Sequence, residues 1–228
     1  MLGAFTNDSQ TLDLKYFSIE VPKKWRYIRQ QGIDSFVGEI RGPKVKLSFD
    51  CSNMGYANNL IQTPEEYIER QVSISYSFLF NKPDVHYTLG KNVKNVKMEE
   101  MKKLNTTDSS LVKVEPFIRP STKIYLPTKR DLGKFKDADY LIDLTYKDST
   151  ITVGVTLPND IRKHNIKIDT IGQYVIKTIW PKKTGEGITG VYYRKINSRF
   201  DLQINGKNLG EQQQGEALRA FKTIQIRE

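Results

Sequence analysis

The sequence predicts an α+β domain with helices set around a mainly antiparallel sheet. Three observations point there. Stretches in which apolar and polar residues alternate recur along much of the chain. Most are joined by short turn signals rather than long crossovers. The two clearest helical patterns lie far apart, one after residue 63 and one near residue 211. Of the 228 residues 38% are hydrophobic, with 12 Tyr, 10 Phe and 2 Trp. That is ample material for a packed core and excludes a disordered chain.

Residues 16–21 put Phe17, Ile19 and Val21 on one face of a strand. Pro22 stops it, because proline cannot donate to a ladder. Residues 25–28 and 33–40 read as strands turned at Gln30-Gln31-Gly32, and Gly42-Pro43 marks the next turn. Val45, Leu47 and Phe49 then alternate with Lys44, Lys46, Ser48 and Asp50, as in a strand with one buried face. Thr63-Pro64-Glu65-Glu66 is a helix start, with a capping hydroxyl, a first-turn proline and a glutamate three residues after the cap. Tyr67, Ile68, Val72, Ile74 and Phe78 follow at roughly helical spacing, and Pro83 limits the helix.

Residues 81–138 read as an insertion within a single 1–228 domain. Pro116, Pro120 and Pro127 break it into short strands, and a small helix follows Thr128. Tyr140, Ile142, Leu144 and Tyr146 alternate, as do Ile151, Val153, Val155 and Leu157. The turn Lys147-Asp148-Ser149 joins them as a hairpin. Residues 174–180 and 188–196 are strands. Phe200, Leu202 and Ile204 lead to a turn at Asn205-Gly206. Residues 211–221 form the last helix, and Ile224 and Ile226 a short final strand.

The opening FSIEVPKKW, residues 17–25, and the closing FKTIQI, residues 221–226, resemble the ends of PsbP-like domains. GIDSFVGEI, residues 32–40, and GEGITGVYY, residues 185–193, are similar to stretches of bacterial members of that family. The resemblance covers residues 15–80 and 139–228. It implies an α/β/α sandwich around a central antiparallel sheet, with residues 16–21 and 224–226 in the same central sheet system. The proline–tryptophan spacing behind an alternating strand predicts that Trp25 is buried. The family includes a lumenal photosystem subunit, a nuclear Ran-binding protein and bacterial envelope or secretion proteins. It shares no catalytic residues to carry over.

Several motifs bear on chemistry. GEGITG, residues 185–190, matches the dinucleotide pattern G-x-G-x-x-G. That fingerprint needs a helix after it, whereas Val191-Tyr192-Tyr193 favours a strand, so Gly185, Gly187 and Gly190 are expected to serve backbone geometry. Cys51 is the only cysteine, and His86 and His164 the only histidines, which excludes disulfide frameworks and cysteine metal clusters. A Cys51, His164, Asp169 nucleophilic set stands against a buried thiol and a surface histidine. Asp139 and Asp143 can be written as an acid–base pair or as solvent-facing hairpin carboxylates.

The net charge is +10. Scattered cations read as a solvated surface or as a weak contact for anionic surfaces, without specific nucleic-acid binding. Lys182, Lys183, Arg194 and Lys195 are the candidate partner-binding surface. No stretch of about 18 apolar residues spans a membrane, and no cofactor or metal ligand set is visible. The start MLGAFTNDSQ fits either a cytoplasmic protein or a mature form freed of a leader. The function expected is a non-catalytic binding or assembly protein with an unknown protein partner, an accessory factor of the bacterial cell envelope. The alternative is a cytoplasmic chaperone or adaptor that binds a partner segment, and an enzyme of unknown class ranks third.

Overall fold

The computed structural model describes residues 8–80, 85–88 and 92–227, and of residues 77–80 the backbone only. The expected Pro83 stop and the Phe78 side chain lie outside the described residues. The described chain is mostly β, with 43% strand against 23% helix, and its fifteen strands form four sheets. This corrects the expected α/β/α sandwich. Five short helices do not make two helical layers.

The chain divides into two compact units, Met1–Thr63 with Pro158–Glu228, and Pro64–Leu157. The first unit opens with β1 (Ser9–Asp13), β2 (Phe17–Pro22), β3 (Arg26–Arg29), β4 (Phe36–Gly42) and β5 (Val45–Ser52). After the second unit it resumes with a short helix, α4 (Asn159–Lys163), then β11 (His164–Ile171), β12 (Tyr174–Pro181), β13 (Ile188–Lys195) and β14 (Asp201–Lys207). Helix α5 (Glu211–Phe221) and β15 (Gln225–Ile226) end it. Seven strands form one antiparallel sheet in the order β11-β12-β13-β14-β5-β4-β3, and β1-β2-β15 form a smaller one.

Strict alternation gives the large sheet one apolar face. Val45, Leu47, Phe49, Cys51, Val191, Tyr193, Leu202 and Ile204 all point to it and are buried. The small sheet and α5 supply the other half of that core. Phe17, Ile19 and Val21 of β2 are fully buried, and Phe17 meets Phe49 edge-on with ring centroids 5.3 Å apart. Residues 16–21 and 224–226 therefore share a sheet, as expected, with Gln225 opposite Ser18 and Ile226 opposite Phe17. That sheet is the small one, not the seven-stranded one.

Three local expectations need correction. Strand β14 runs straight through Asn205 and Gly206, which pair with Gly190 and Thr189. The glycine is there because a Cβ would stand 2.7 Å from Leu47, not because the chain turns. The chain turns later, at Asn208, with φ of 52°. Ile33 belongs to a loop and is fully exposed, since β4 begins only at Phe36. β11 was not among the expected strands, although Asn165, Lys167 and Asp169 alternate with Ile166 and Ile168.

The second unit holds α1 (Pro64–Phe80), β6 (Val85–Thr88), α2 (Val93–Lys103), β7 (Lys113–Pro116), β8 (Ser121–Tyr125), α3 (Lys129–Lys134), β9 (Tyr140–Tyr146) and β10 (Ser149–Val155). The hairpin of β9 and β10 forms as read, turning at Lys147 with φ of 52°. Ile68 and Val72 of α1 pack on Ile142, Leu144 and Val155. Ile74 faces solvent instead. The small helix after Thr128 starts with a complete capping box to Asp131.

Trp25 is 2% exposed and lies flat on Gly42, where a Cβ would come 2.1 Å from the indole. Trp25→Ala should therefore cost about 3 to 5 kcal/mol of unfolding free energy in urea melts, as large aromatic truncations in cores do. A cost under about 1 kcal/mol would remove Trp25 from the core account.

Candidate functional site

The second face of the seven-stranded sheet is polar, and within the first unit residues 53–63 fold over part of it. One row runs across the strands as Val37, Asp50, Gln203, Tyr192, Lys177 and Ile168. Asp201 lies next to this row, opposite Ser52. It is 2% exposed and accepts the Ala57 N–H at 3.3 Å. Burial pushes its carboxyl up to about 6, with the Asp50 carboxylate adding to the rise. One Asp50 oxygen is itself buried without a hydrogen-bond partner among the described residues. Lys177 is buried in the same row, its Nζ 6.0 Å from the Tyr192 ring centroid. Gln203, Asn205 and Lys207 then line a pocket of about 520 Å³ with Asn58, Leu60 and Ile61. Glu39 sits on this face too, held below its ordinary carboxylate range by hydrogen bonds from Lys46 and Arg41.

The four predicted surface cations do not form one patch. Lys182 and Lys183 follow the end of β12, beside the start of β13, while Arg194 and Lys195 occupy the far end of β13. At the rise of a strand those ends are about 20 Å apart. Lys182 and Lys183 do line a pocket of about 430 Å³ with Arg162, Lys163, Asp160 and Glu186, and Lys183 is ion-paired to Glu186.

The glycine loop beside that pocket is tied inward. Gly185 N–H donates to Leu209 O, Glu186 N–H to Lys183 O, Gly187 N–H to Asn208 Oδ1 and Ile188 N–H to His164 Nε2. A phosphate cradle needs those donors aimed outward. His164 is buried, not a surface histidine. Its Nδ1 lies 2.6 Å from Asp160 O, so Nδ1 carries the proton and Nε2 accepts. A Cβ on Gly187, whose φ is +79°, would stand 2.4 Å from Nε2.

The other written constellations come apart. Cys51 and Asp169 share one sheet row but are four strands apart, about 19 Å at ordinary strand spacing. Burial also holds the Cys51 thiol protonated, at about 12. Asp139 accepts the Leu157 N–H, and Asp143 accepts the hydroxyls of Tyr125 and Thr152, so both serve the hairpin. Among the described residues no group of three or more His, Cys, Asp and Glu can hold a metal ion. No described helix is long and apolar enough to cross a membrane.

One feature has no sequence signal. A groove of about 890 Å³ runs along Leu14, Lys15, Tyr27, Arg29 and Phe36. It continues into a pocket of about 300 Å³ lined by Lys15, Tyr16, Ile33, Phe36 and Met54. Its walls come from residues 13–16, 27–37 and 51–54, which no sequence spacing links. Asp13 on its edge is neutralised by Arg227, and Lys15 lies 4.6 Å over the Tyr16 ring. Neither Lys15 nor Arg29 is ion-paired among the described residues.

No protein-family model matches the chain, and no curated protein matches it.

Two measurements probe these assignments. The folded pKa of Asp201 is raised from 3.8 to about 6, so its contribution to stability is present below pH 4 and lost as pH rises to 6. Asp201→Asn keeps the acceptor for Ala57 and removes the charge. Its stability relative to the parent should improve by about 1 kcal/mol between pH 4 and pH 7. A pH-independent difference would refute the burial of charge. Gly187→Val should cost about 2 kcal/mol or more, from the left-handed backbone and the clash with His164. The cost should shrink when His164→Ala is also present. Strict additivity of the two changes would rule the contact out.

Proposed function

We propose that the chain is a non-catalytic binding protein. It holds a partner protein segment that carries apolar side chains and a nearby carboxylate. The groove beside the β3–β4 loop carries this reading. It joins two aromatic walls, Tyr27 and Phe36, to a fully exposed Ile33 and a half-exposed Met54, with Lys15 and Arg29 at its sides. Isolated exposed apolar residues are ordinary on a surface, but a cluster lining one concavity marks a recognition site. The lysine and arginine select for negative charge in what enters.

Charge distribution supports the same reading. The first unit carries 21 Lys and Arg against 13 Asp and Glu, so +8 of the net +10 lies there. Such a field speeds encounter with an acidic partner. Two of the buried titratable groups are engaged in holding backbone. Asp201 takes the Ala57 amide and His164 bridges Asp160 and Ile188. The envelope-accessory and adaptor readings use the same groove and differ only in compartment. The envelope reading draws on the resemblance to PsbP-like domains.

A random peptide library selected against the whole chain tests the proposal. Enrichment of acidic peptides with aromatic or branched aliphatic residues is expected. Ile33→Asp and Lys15→Glu should each weaken the selected peptides about tenfold or more, as loss of an interface anchor does. Absence of enrichment, or binding to both variants as tight as to the parent, would defeat it.

A further inference from the structure

We propose that the chain pairs with a second copy of itself along the outer edge of β11, antiparallel and centred on Ile168, so that two seven-stranded sheets continue into one. β11 is eight residues long and, among the described residues, has a strand neighbour, β12, on one side only. Residues 167–171 are all exposed, with Ile168 50% and Ile171 65% accessible. Long, exposed, apolar edges invite another strand.

The ladder fixes which backbone groups are available. The hairpin to β12 closes at Ile171 and Tyr174 around two residues, and the closing pair of such a hairpin exchanges hydrogen bonds. Asp169, Lys167 and Asn165 then also bond inward to β12. Ile166, Ile168 and Thr170 turn their N–H and C=O groups outward. Pro181 is consistent with this parity. It lies opposite His164, at a position where the ladder needs no donor.

The side chains are self-complementary about Ile168. An antiparallel copy places Lys167 opposite Asp169 and Asp169 opposite Lys167, with Ile166 opposite Thr170 and Ile168 opposite itself. About six backbone hydrogen bonds form from the three outward-facing residues. Register is specified. A slip by two residues sets Lys167 against Lys167, or Asp169 against Asp169, and like charges opposite one another are destabilising. A slip by one loses the backbone match. In the single chain Lys167 and Asp169 already neutralise each other at 2.7 Å, so the edge carries no unbalanced charge to repel a copy. The opposite edge of the same sheet differs. β3 has four residues, and Arg26 and Arg29 are exposed on it, which guards it against strand addition. A two-fold axis of this kind closes the assembly at two chains through this edge. The contact is narrow, below about 1,200 Å², so the dimer is reversible and concentration-dependent.

Sedimentation equilibrium on the full chain decides it. The wild type should rise with concentration from 26.3 kDa toward twice that mass. Lys167→Asp alone and Asp169→Lys alone should each weaken association about tenfold or more. An equimolar mixture of the two variants should associate again, because every facing pair is then of opposite sign. The double variant should do likewise. Ile168→Pro removes an outward N–H without touching the β12 ladder and should be monomeric; it decides the matter if a charge reversal fails to fold by circular dichroism. A wild type that stays at monomer mass at every soluble concentration overturns the proposal, including where the edge serves a different protein. So does association that charge reversal leaves unchanged, or a variant mixture that stays monomeric.

Discussion

The first unit depends on the placement of β2. A seven-stranded sheet with one apolar face cannot stay in water uncovered. β2 supplies Phe17, Ile19 and Val21 to that face, all fully buried, and it is held there from both sides by β1 and β15. The last strand therefore locks one of the first. Thr223 reinforces the closure, its hydroxyl accepting the Glu20 N–H at 2.8 Å while donating to Ala220 O. Phe221, at the end of α5, is 2% exposed in the same core, and Tyr193 donates its hydroxyl to the Phe221 carbonyl. Burial of each large side chain is worth roughly 1.5 to 3 kcal/mol. The closure gathers them where no single hairpin could.

Much of this was legible because it is periodic. The alternation in residues 16–21 and 45–49 reports which face is buried, and Phe17, Ile19, Val21, Val45, Leu47 and Phe49 are all buried. In the hairpin the pattern is weaker, because Leu141 is buried on the other face and Ile151, Thr152 and Val153 are alike half-buried. The capping residues at Thr63 and Thr128 are local chemistry, and helices begin after both. What failed had non-local causes. Asn205-Gly206 has the letters of a turn, yet Gly206 answers to Leu47 on a neighbouring strand. The α/β/α sandwich came from resemblance, which cannot say how many helices find a place on a sheet. β11 is the exception, since residues 165–169 alternate strictly and its periodicity is present in the sequence.

The sites divide along the same line. Residues grouped by sequence, such as Cys51 with His164 and Asp169, were grouped only by chemical type, and the sheet separates them. The buried Asp201 and His164 each meet a backbone amide from a distant segment, so neither role is written in their neighbours. The groove is the extreme case. Lys15, Arg29, Ile33, Phe36 and Met54 are unremarkable one by one, and only the folding of three segments brings them around one concavity.

The three surfaces of the large sheet thus carry different constraints. Its apolar face is spent on the core. Its polar face holds charge at a cost, with Asp201 raised to about 6 and one buried Asp50 oxygen without a partner among the described residues. Its edges remain, and they are treated unequally. β3 is short and carries two exposed arginines, whereas β11 is twice as long and electrically balanced by Lys167 and Asp169. An edge needs protection in proportion to its length and apolar content. The longer edge of this sheet has the weaker guard, and its charge inverts about Ile168, positive at Lys167 and negative at Asp169. Within one chain the two charges neutralise each other at 2.7 Å, and against a second chain running the opposite way each faces its opposite.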